Sequence, residues 1–292
     1  MIKYRKISYI VSGSLVAISL LAFIVYGLNP GIDFTGGSIL EVEYLQVRPP
    51  MEIVNEKIDS QNLGNVLVQP IGEKGLLMRF RDITEVEHQS LMQTLGEVDQ
   101  KRFDSIGPVI GKELTRKAWT SILLVVVMII LFIAYAFRKV SKPVSSWKYG
   151  TVAITALIHD VAIPVGVFSV LGYFYHVEVD ILFVTALLTI LGFSVHDTIV
   201  VFDRVRENLK RGTGKDFEDT ISQSVKQVRG RSLKTSFAIL FVLVALLIFG
   251  GDTTYYFTLT LIIGIISGTY SSLFLASPLL VTWQKYQEKK RS

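Results

Sequence analysis

The chain has 292 residues, of which 50% are apolar and only 19% are charged. Soluble globular domains carry about 25% charged residues, and a single core cannot hide this much apolar surface. The composition therefore excludes an ordinary soluble protein and also a disordered or fibrous one. The chain has no cysteine, which excludes disulfides, thiolate metal sites and cysteine nucleophiles. The net charge of +5 does not by itself indicate nucleic acid, because Lys and Arg also collect at the cytoplasmic ends of membrane helices.

Six apolar runs are long enough to cross a bilayer, which takes about 20 helical residues. They predict membrane helices at residues 7–28, 119–137, 149–171, 179–202, 233–249 and 255–283. The last run contains Pro278, which predicts a tilt or a break there. The first run is longer than the apolar core of a signal peptide, which has roughly 7–15 residues, so we interpret it as an uncleaved anchor.

The charges of the short connecting segments predict the orientation. Twenty Lys and Arg residues lie in the N-terminal flank, the segment after the second run, residues 204–234 and the C-terminal tail. The loops 173–178 and 250–254 have none. Because basic loops remain in the cytoplasm, both termini are predicted to be cytoplasmic.

Three parts are predicted along the chain. Residues 1–28 form the cytoplasmic start and the first helix, residues 29–118 a periplasmic domain, and residues 119–292 the other five helices. The middle part has 14 acidic and 10 basic residues. Its strand patterns at 38–44, 65–69, 76–80 and 101–106, with helices starting at Pro50 and after Thr84, predict a ferredoxin-like β-α-β-β-α-β domain.

The polar stretch 204–232 contains apolar residues that recur on one helical face. These are Phe217, Ile221, Val225 and Val228. The spacing predicts an amphipathic helix on the cytoplasmic side. Two placements stay open at this point, namely on the membrane surface or packed against the helix bundle.

Known signatures of chemistry are missing from the sequence. The stretch that comes nearest to the phosphate-binding motif G-x-x-x-x-G-K-[ST], residues 107–112, has one residue too few between its glycines and is followed by Glu113. The four histidines include no pair at helical metal-ligand spacing. We therefore expect no catalytic residue, no cofactor and no metal.

Ionisable residues inside the apolar runs are the strongest functional signal. A charged group at the bilayer centre costs about 2.5–3.5 kcal/mol on insertion scales, so a group that persists there usually faces protein or water. Asp197 lies near the end of the fourth run, after His196, and is the main candidate. His159 and Asp160 near the middle of the third run form a candidate second polar site, four residues before Pro164.

A cation that could face Asp197 precedes the fifth run. Arg231 could place its guanidinium at membrane depth along an apolar stem, because the fourth and fifth runs form a hairpin. Its position alone favours the simpler interpretation of an anchor at the cytoplasmic surface. In the sixth run, Gly264 and Gly268 predict a close approach to another helix, internal or in a partner.

Three stretches of the chain resemble the SecD/SecF family of bacterial protein export, a branch of the RND superfamily. They are GIDFTGG at 31–37, IGPVIG at 106–111 and GFSVHDTIVVFDRVREN at 192–208. The last is the most specific, and the resemblance covers essentially the whole chain. It implies a heterodimer with SecD that associates with the SecYEG channel in the inner membrane and uses the proton-motive force to help draw preproteins across.

The resemblance also implies roles for particular residues. It assigns the proton relay to Asp197 and Arg231, and so moves Arg231 from an anchor to a functional residue. Members of the family often have Asn where His196 stands, so His196 is assigned no essential role. Two other functions stay open, namely half of a small-molecule exporter of the same superfamily and a membrane scaffold that conducts no ions. An exporter predicts an apolar, cavity-rich outer domain, whereas the composition of this one is acidic.

Overall fold

The structure is a computed structural model that describes residues 5–137 and 146–291. The chain forms two compact units, one of residues Pro30–Thr120 and one of the residues before and after them. Several basic residues of the orientation argument, Lys3, Arg138, Lys139 and Lys142, lie outside the described residues.

The Pro30–Thr120 unit contains the predicted β-α-β-β-α-β order. After a single helical turn at Ile32–Thr35, its elements are β1 Gly37–Tyr44, α2 Met51–Asp59, β2 Leu67–Ile71, β3 Gly75–Phe80, α3 Glu85–Leu95 and β4 Val98–Ile106. The strands form one antiparallel sheet in the order β2-β3-β1-β4. Alternate residues of β1 and β3, such as Leu40, Val42 and Met78, are fully buried with apolar residues of α2 and α3. The ferredoxin-like prediction is confirmed, although β4 begins three residues earlier than expected.

Helix α3 begins with the predicted capping box. The Thr84 hydroxyl accepts from the Glu87 amide at 3.4 Å, and the Glu87 carboxylate accepts from the Thr84 amide at 2.8 Å. Arg81 also donates to Glu87, at 2.5 Å. This Arg81 hydrogen bond, followed by those that the Thr84 amide and hydroxyl donate to the carboxylate, lowers the pKa of Glu87 to about 2.

Two consecutive glycines at the start of β1 have backbones that a side chain would strain. Gly36 and Gly37 have φ values of 74° and 125°. A Cβ at Gly36 would lie 2.9 Å from the Cα of Pro108, and one at Gly37 would lie 2.8 Å from the carbonyl oxygen of Phe80. The pair is therefore a close-packed crossing of backbones as well as a turn.

The other unit is a bundle of long helices. They are α1 Arg5–Tyr26, α4 Pro108–Phe137, α5 Ser146–Tyr175, α6 Ile181–Arg211, α7 Phe217–Phe249, α8 Asp252–Ser271 and α9 Ser277–Arg291, with a π-helical turn at Ser272–Ala276 joining the last two. Six segments of the described residues are long and apolar enough to cross a membrane, as predicted. Helix α4 starts in the Pro30–Thr120 unit, eleven residues before the predicted span.

The π-helical turn lies directly before Pro278, where the sequence predicted a tilt or a break. Proline has no backbone N–H, so the carbonyl four residues earlier lacks its usual donor. The helix accommodates this by widening at Ser272–Ala276 rather than by breaking. The Ser277 hydroxyl donates to the Ser272 carbonyl at 3.3 Å, which is a further hydrogen bond across this turn.

The amphipathic stretch is not a separate helix. It forms the first half of α7, which continues to Phe249. Ile221, Val225 and Val228 are buried in an apolar cluster with residues of α5, α6 and α9. The apolar face is therefore packed against the bundle instead of lying on the membrane surface.

Helix α1 packs on α5 through small residues. Its buried positions are Ser8, Ser12, Ser19 and Ala22. At the crossing, Gly166 of α5 faces Ser19 so closely that a Cβ on Gly166 would lie 2.4 Å from the Ser19 Cα. Small residues that let backbones approach are the usual means of helix association in a bilayer.

We expect Gly166→Ala to push α1 away from α5, because the clash involves backbone atoms that cannot rotate aside. Overpacking of this kind costs about 1–3 kcal/mol. The measurement is the free energy of unfolding of the full chain in detergent micelles. Gly192→Ala is the matched control, since a Cβ there would meet nothing within 4 Å. Equal stability of the two variants would contradict the assigned packing.

Candidate functional site within the helix bundle

Both intramembrane aspartates predicted from the sequence are buried in the helix bundle. Asp160 of α5 is 0% exposed and Asp197 of α6 is 7% exposed. By contrast, His196 and Asp203, which flank Asp197 on α6, are exposed. The helical periodicity of α6 therefore turns the Asp197 carboxyl group into the bundle and the side chains of His196 and Asp203 outward.

The Asp197 carboxylate is held by serine hydroxyls from two other helical segments. Ser232 of α7 donates to Oδ1 at 2.6 Å. Ser272, the first residue of the π-helical turn, donates to Oδ2. Among the described residues, no Lys or Arg forms an ion pair with Asp197. Its charged form is consequently stabilised by neutral donors alone in this conformation.

Arg231 lies one residue before Ser232, but its side chain points elsewhere. It is exposed and lines an open cleft of about 410 Å³ between α6 and α7. Asp203 and the ion-paired Arg204 and Glu207, whose charged atoms are 2.5 Å apart, line the same cleft. Arg231 therefore lies on the same helix as Ser232, which contacts Asp197, but Arg231 and Asp197 do not pair with each other.

Asp160 has a larger set of partners than Asp197. Its Oδ1 lies 2.8 Å from His159 Nδ1 and accepts from Ser267 at 3.1 Å. Its Oδ2 accepts from Ser194 at 2.5 Å and from Ser271 at 2.7 Å. These partners come from α5, α6 and α8, so the carboxylate joins three helices at one point.

The close approach of α8 is what places these serines. A Cβ at Gly264 would lie 2.2 Å from Ile190 Cδ1, and one at Gly268 would lie 3.4 Å from Ser194 and 3.5 Å from Asp160. The two glycines predicted to form a close contact therefore face the interior of this bundle. Ser267 and Ser271 follow on the same face and reach the carboxylate.

Sequence reasoning found both carboxylates but missed most of their partners. Ser194, Ser232 and Ser272 carry no special sequence signal when each is read singly. The density of serines in the sixth apolar run, at 267, 271, 272 and 277, is the signal that could have indicated them. Across residues 5–137 and 146–291, no three His, Asp or Glu side chains come together so as to hold a metal ion.

Comparison with known proteins identifies the family. A family model described as "Protein export membrane protein SecD/SecF, C-terminal" matches residues 86–286, which is more than half of the chain. The chain belongs to the SecD/SecF family. A second model, the SecD/SecF GG motif, matches residues 21–44 and includes the close-packed Gly36 and Gly37.

Relatives in this family are similar over nearly their whole length. A protein translocase subunit SecF of Thermobaculum terrenum is 40% identical, over 97% of this chain and 93% of the relative. One of Anaerolinea thermophila is 36% identical, over 96% and 92%. Both are named as translocase subunits, which are transport components.

A crystal structure of SecDF, a translocon-associated membrane protein from Thermus thermophilus, has the same fold. It superposes with a TM-score of 0.82 at 28% identity over 97% of this chain. SecDF in a super-membrane-facing form gives a TM-score of 0.70, also at 28% identity. The chain spans 38% and 40% of the lengths of those two SecDF chains.

The hydrogen bond between Ser272 and Asp197 predicts a measurable coupling. In a double-mutant cycle of Asp197→Asn and Ser272→Ala, we expect a coupling free energy of about 1–2 kcal/mol, above the average of about 0.6 for neutral pairs within a membrane. The coupling free energy is obtained from the unfolding free energies of the unchanged protein, the two single variants and the double variant, all at full length. Ser169→Ala replaces Ser272→Ala in the control cycle, because buried Ser169 donates only to the Val165 carbonyl of its own helix. A coupling no larger than the control value would remove the assigned contact.

Proposed function

We propose that this chain is the subunit that pairs with SecD in the bacterial protein export machinery. It lies in the inner membrane with both termini in the cytoplasm and works with the SecYEG channel on preprotein substrates. Family membership, the named relatives and the SecDF fold support this proposal. The pair uses the proton-motive force, which supplies about 2.3 kcal/mol per elementary charge per 100 mV of membrane potential.

Asp197 is the proton carrier in this proposal. A carboxyl group can carry a proton only if its charged and neutral forms are close in free energy, and burial and a nearby cation act on that balance in opposite senses. The observation that carries the proposal is that buried Asp197 is bound by Ser232 and Ser272, while no Lys or Arg of residues 5–137 and 146–291 forms an ion pair with it. A hydroxyl both donates and accepts, so these partners can bind either form.

Arg231 supplies the second state. Consecutive residues of an α-helix are about 100° apart around its axis, so a rotation of α7 by one residue relative to α6 replaces Ser232 by Arg231 beside Asp197. With Ser232 facing it, Asp197 takes up a proton from the outer side. When the guanidinium of Arg231 approaches, the charged carboxylate is favoured and the proton leaves through the cleft that Arg231 lines.

Work on the preprotein needs a mechanical link from this exchange to the outer domain. Helix α4 runs without interruption from Pro108, within the Pro30–Thr120 unit, to Phe137. We therefore assign α4 the transmission of helix movements to that domain. In this proposal the helix bundle has two packings, one with Ser232 beside Asp197 and one with Arg231 beside it.

We expect Asp197→Asn and Arg231→Met to abolish the part of preprotein export that depends on the proton-motive force. Asn cannot release a proton, and Met cannot drive its release. The measurement is translocation of a secreted preprotein into inverted membrane vesicles that contain the full chain, SecD and SecYEG, with and without an uncoupler. Co-purification with SecD should be unchanged.

Two neighbouring substitutions are the controls. Asp203→Asn removes an exposed carboxylate six residues further along α6, and Arg229→Met removes an exposed cation two residues before Arg231. Both should export normally. Normal export by Asp197→Asn would refute the relay and favour a scaffold that conducts no ions, whereas normal export by Arg231→Met alone would return Arg231 to the role of a surface anchor.

The proposed orientation can be tested directly because the chain has no cysteine. Glu73 in the β2–β3 turn and Lys215 between α6 and α7 are both exposed. In spheroplasts, a membrane-impermeant maleimide should label Glu73→Cys, and should label Lys215→Cys only after the membrane is broken. The reverse pattern would place the termini outside.

A further inference from the structure

Asp160 lies in a setting that a purely structural carboxylate does not require. It is fully buried, and among the described residues no Lys or Arg forms an ion pair with it. Within the described part of the chain, the one ionisable side chain that contacts Asp160 is His159, which is 2% exposed. The net charge of this buried pair is therefore set by one proton, because a neutral imidazole beside a carboxylate leaves a negative charge in the membrane interior.

We infer that His159 and Asp160 form a second proton-binding site, linked to Asp197 through the hydroxyls of Ser271 and Ser272. The inference deepens the function proposed above, since it adds a site and a connection to the same relay. The proton bound there is shared as an imidazolium beside a carboxylate or as a neutral imidazole beside a carboxylic acid. Either form leaves the pair neutral.

The His159 ring has an atom through which this proton can enter and leave. Nδ1 faces Asp160, whereas Nε2 is buried with no hydrogen-bond partner among the described residues. The ring borders an open, mostly apolar groove of about 370 Å³ whose other lining residues come from α1, α5 and α8. A buried ring nitrogen without a hydrogen bond raises the free energy of the folded state and therefore needs an explanation. Accepting a proton is a function that the chemistry of an imidazole nitrogen allows.

The groups that face the pair can adapt to a change in its protonation. From α6 comes the Ser194 hydroxyl, and from α8 come Ser267, Ser271 and Tyr270, whose ring stacks 6.1 Å from that of His159. Three serine hydroxyls and His159 Nδ1 on the two carboxylate oxygens complement the charged form of Asp160, which only accepts. When Asp160 takes the proton, one of these hydroxyls must turn away.

Ser271 and Ser272 each have a backbone carbonyl nearby that can accept their hydroxyl proton when the hydroxyl turns away from the carboxylate. Ser271 lies 2.7 Å from Asp160 Oδ2 and 3.2 Å from the Gly268 carbonyl. Ser272 donates to Asp197 and lies 3.1 Å from the Thr269 carbonyl. The two serines are adjacent in the chain where α8 becomes the π-helical turn, so a movement of this backbone displaces both hydroxyls together.

Infrared difference spectra of the full chain in lipid nanodiscs, recorded across a pH titration, test this inference. The carbonyl stretch of protonated carboxyl groups reports each titrating aspartate. We expect Asp160→Asn to remove one such band and Asp197→Asn to remove a second. Ser271→Ala should raise the midpoint of the Asp160 band by about one pH unit, a tenfold gain in proton affinity, because the charged form loses a donor.

Two controls and one coupling measurement complete the test. Ser169→Ala and Asp203→Asn should leave the Asp160 band unchanged, whereas Asp197→Asn should move its midpoint to lower pH, since a neighbouring negative charge is removed. If Asp160→Asn fails to fold, the shift in Ser271→Ala decides. The inference would be overturned if no band were assignable either to a protonated Asp160 or to an imidazolium ring of His159. It would also be overturned by a shift in Ser271→Ala no larger than in Ser169→Ala.

Failure here is distinguishable from failure of the proposed function. Loss of proton-driven export in Asp197→Asn decides the proposed function and does not depend on Asp160. If the midpoint of the Asp160 band were unchanged in Asp197→Asn, Asp160 would remain a proton-binding site, but the link through the two serines would be refuted.

Discussion

The constraint on which this structure depends is the burial of two carboxyl groups, neither of which forms an ion pair with a Lys or Arg of the residues that the structure describes. Hydroxyl groups supply the hydrogen bonds instead, at Asp197 from Ser232 and Ser272 and at Asp160 from Ser194, Ser267 and Ser271. A fixed ion pair would hold either aspartate in its charged form. Hydroxyl partners stabilise both forms, which suits groups that exchange a proton.

The helix α8 and its π-helical turn are central because they contribute to both carboxylates. The turn exists because Pro278 cannot donate a backbone hydrogen bond, and the widened backbone begins at the residue that contacts Asp197. The glycines of α8 serve the same arrangement, since they let the helix approach α6 closely enough for short serine side chains to reach. The same face of α8 therefore provides both the close packing against α6 and the hydroxyl groups that bind the carboxylates.

The position of Arg231 gives the bundle its asymmetry. Adjacent residues of α7 present a neutral donor to Asp197 and a cation to an open cleft. An apolar cluster at the same end of the bundle includes Ile221 and Val225 of α7 and Phe202 of α6. The two helices are thus packed against each other beside the site.

The sequence by itself determined the six membrane helices, the ferredoxin-like order of the outer domain, and Asp197 and Asp160 as the ionisable groups to examine. These follow from residue type and local periodicity, because apolar length, strand alternation and the insertion cost of a charge are readable along the chain. Only the tertiary structure decided which hydroxyls bind each aspartate, that Arg231 does not contact Asp197 in this conformation, and that the amphipathic stretch packs into the bundle. Those features depend on contacts between residues far apart in sequence, such as Asp160 with Ser271, and a serine in an apolar run looks the same whether it faces lipid, a helix or a carboxylate.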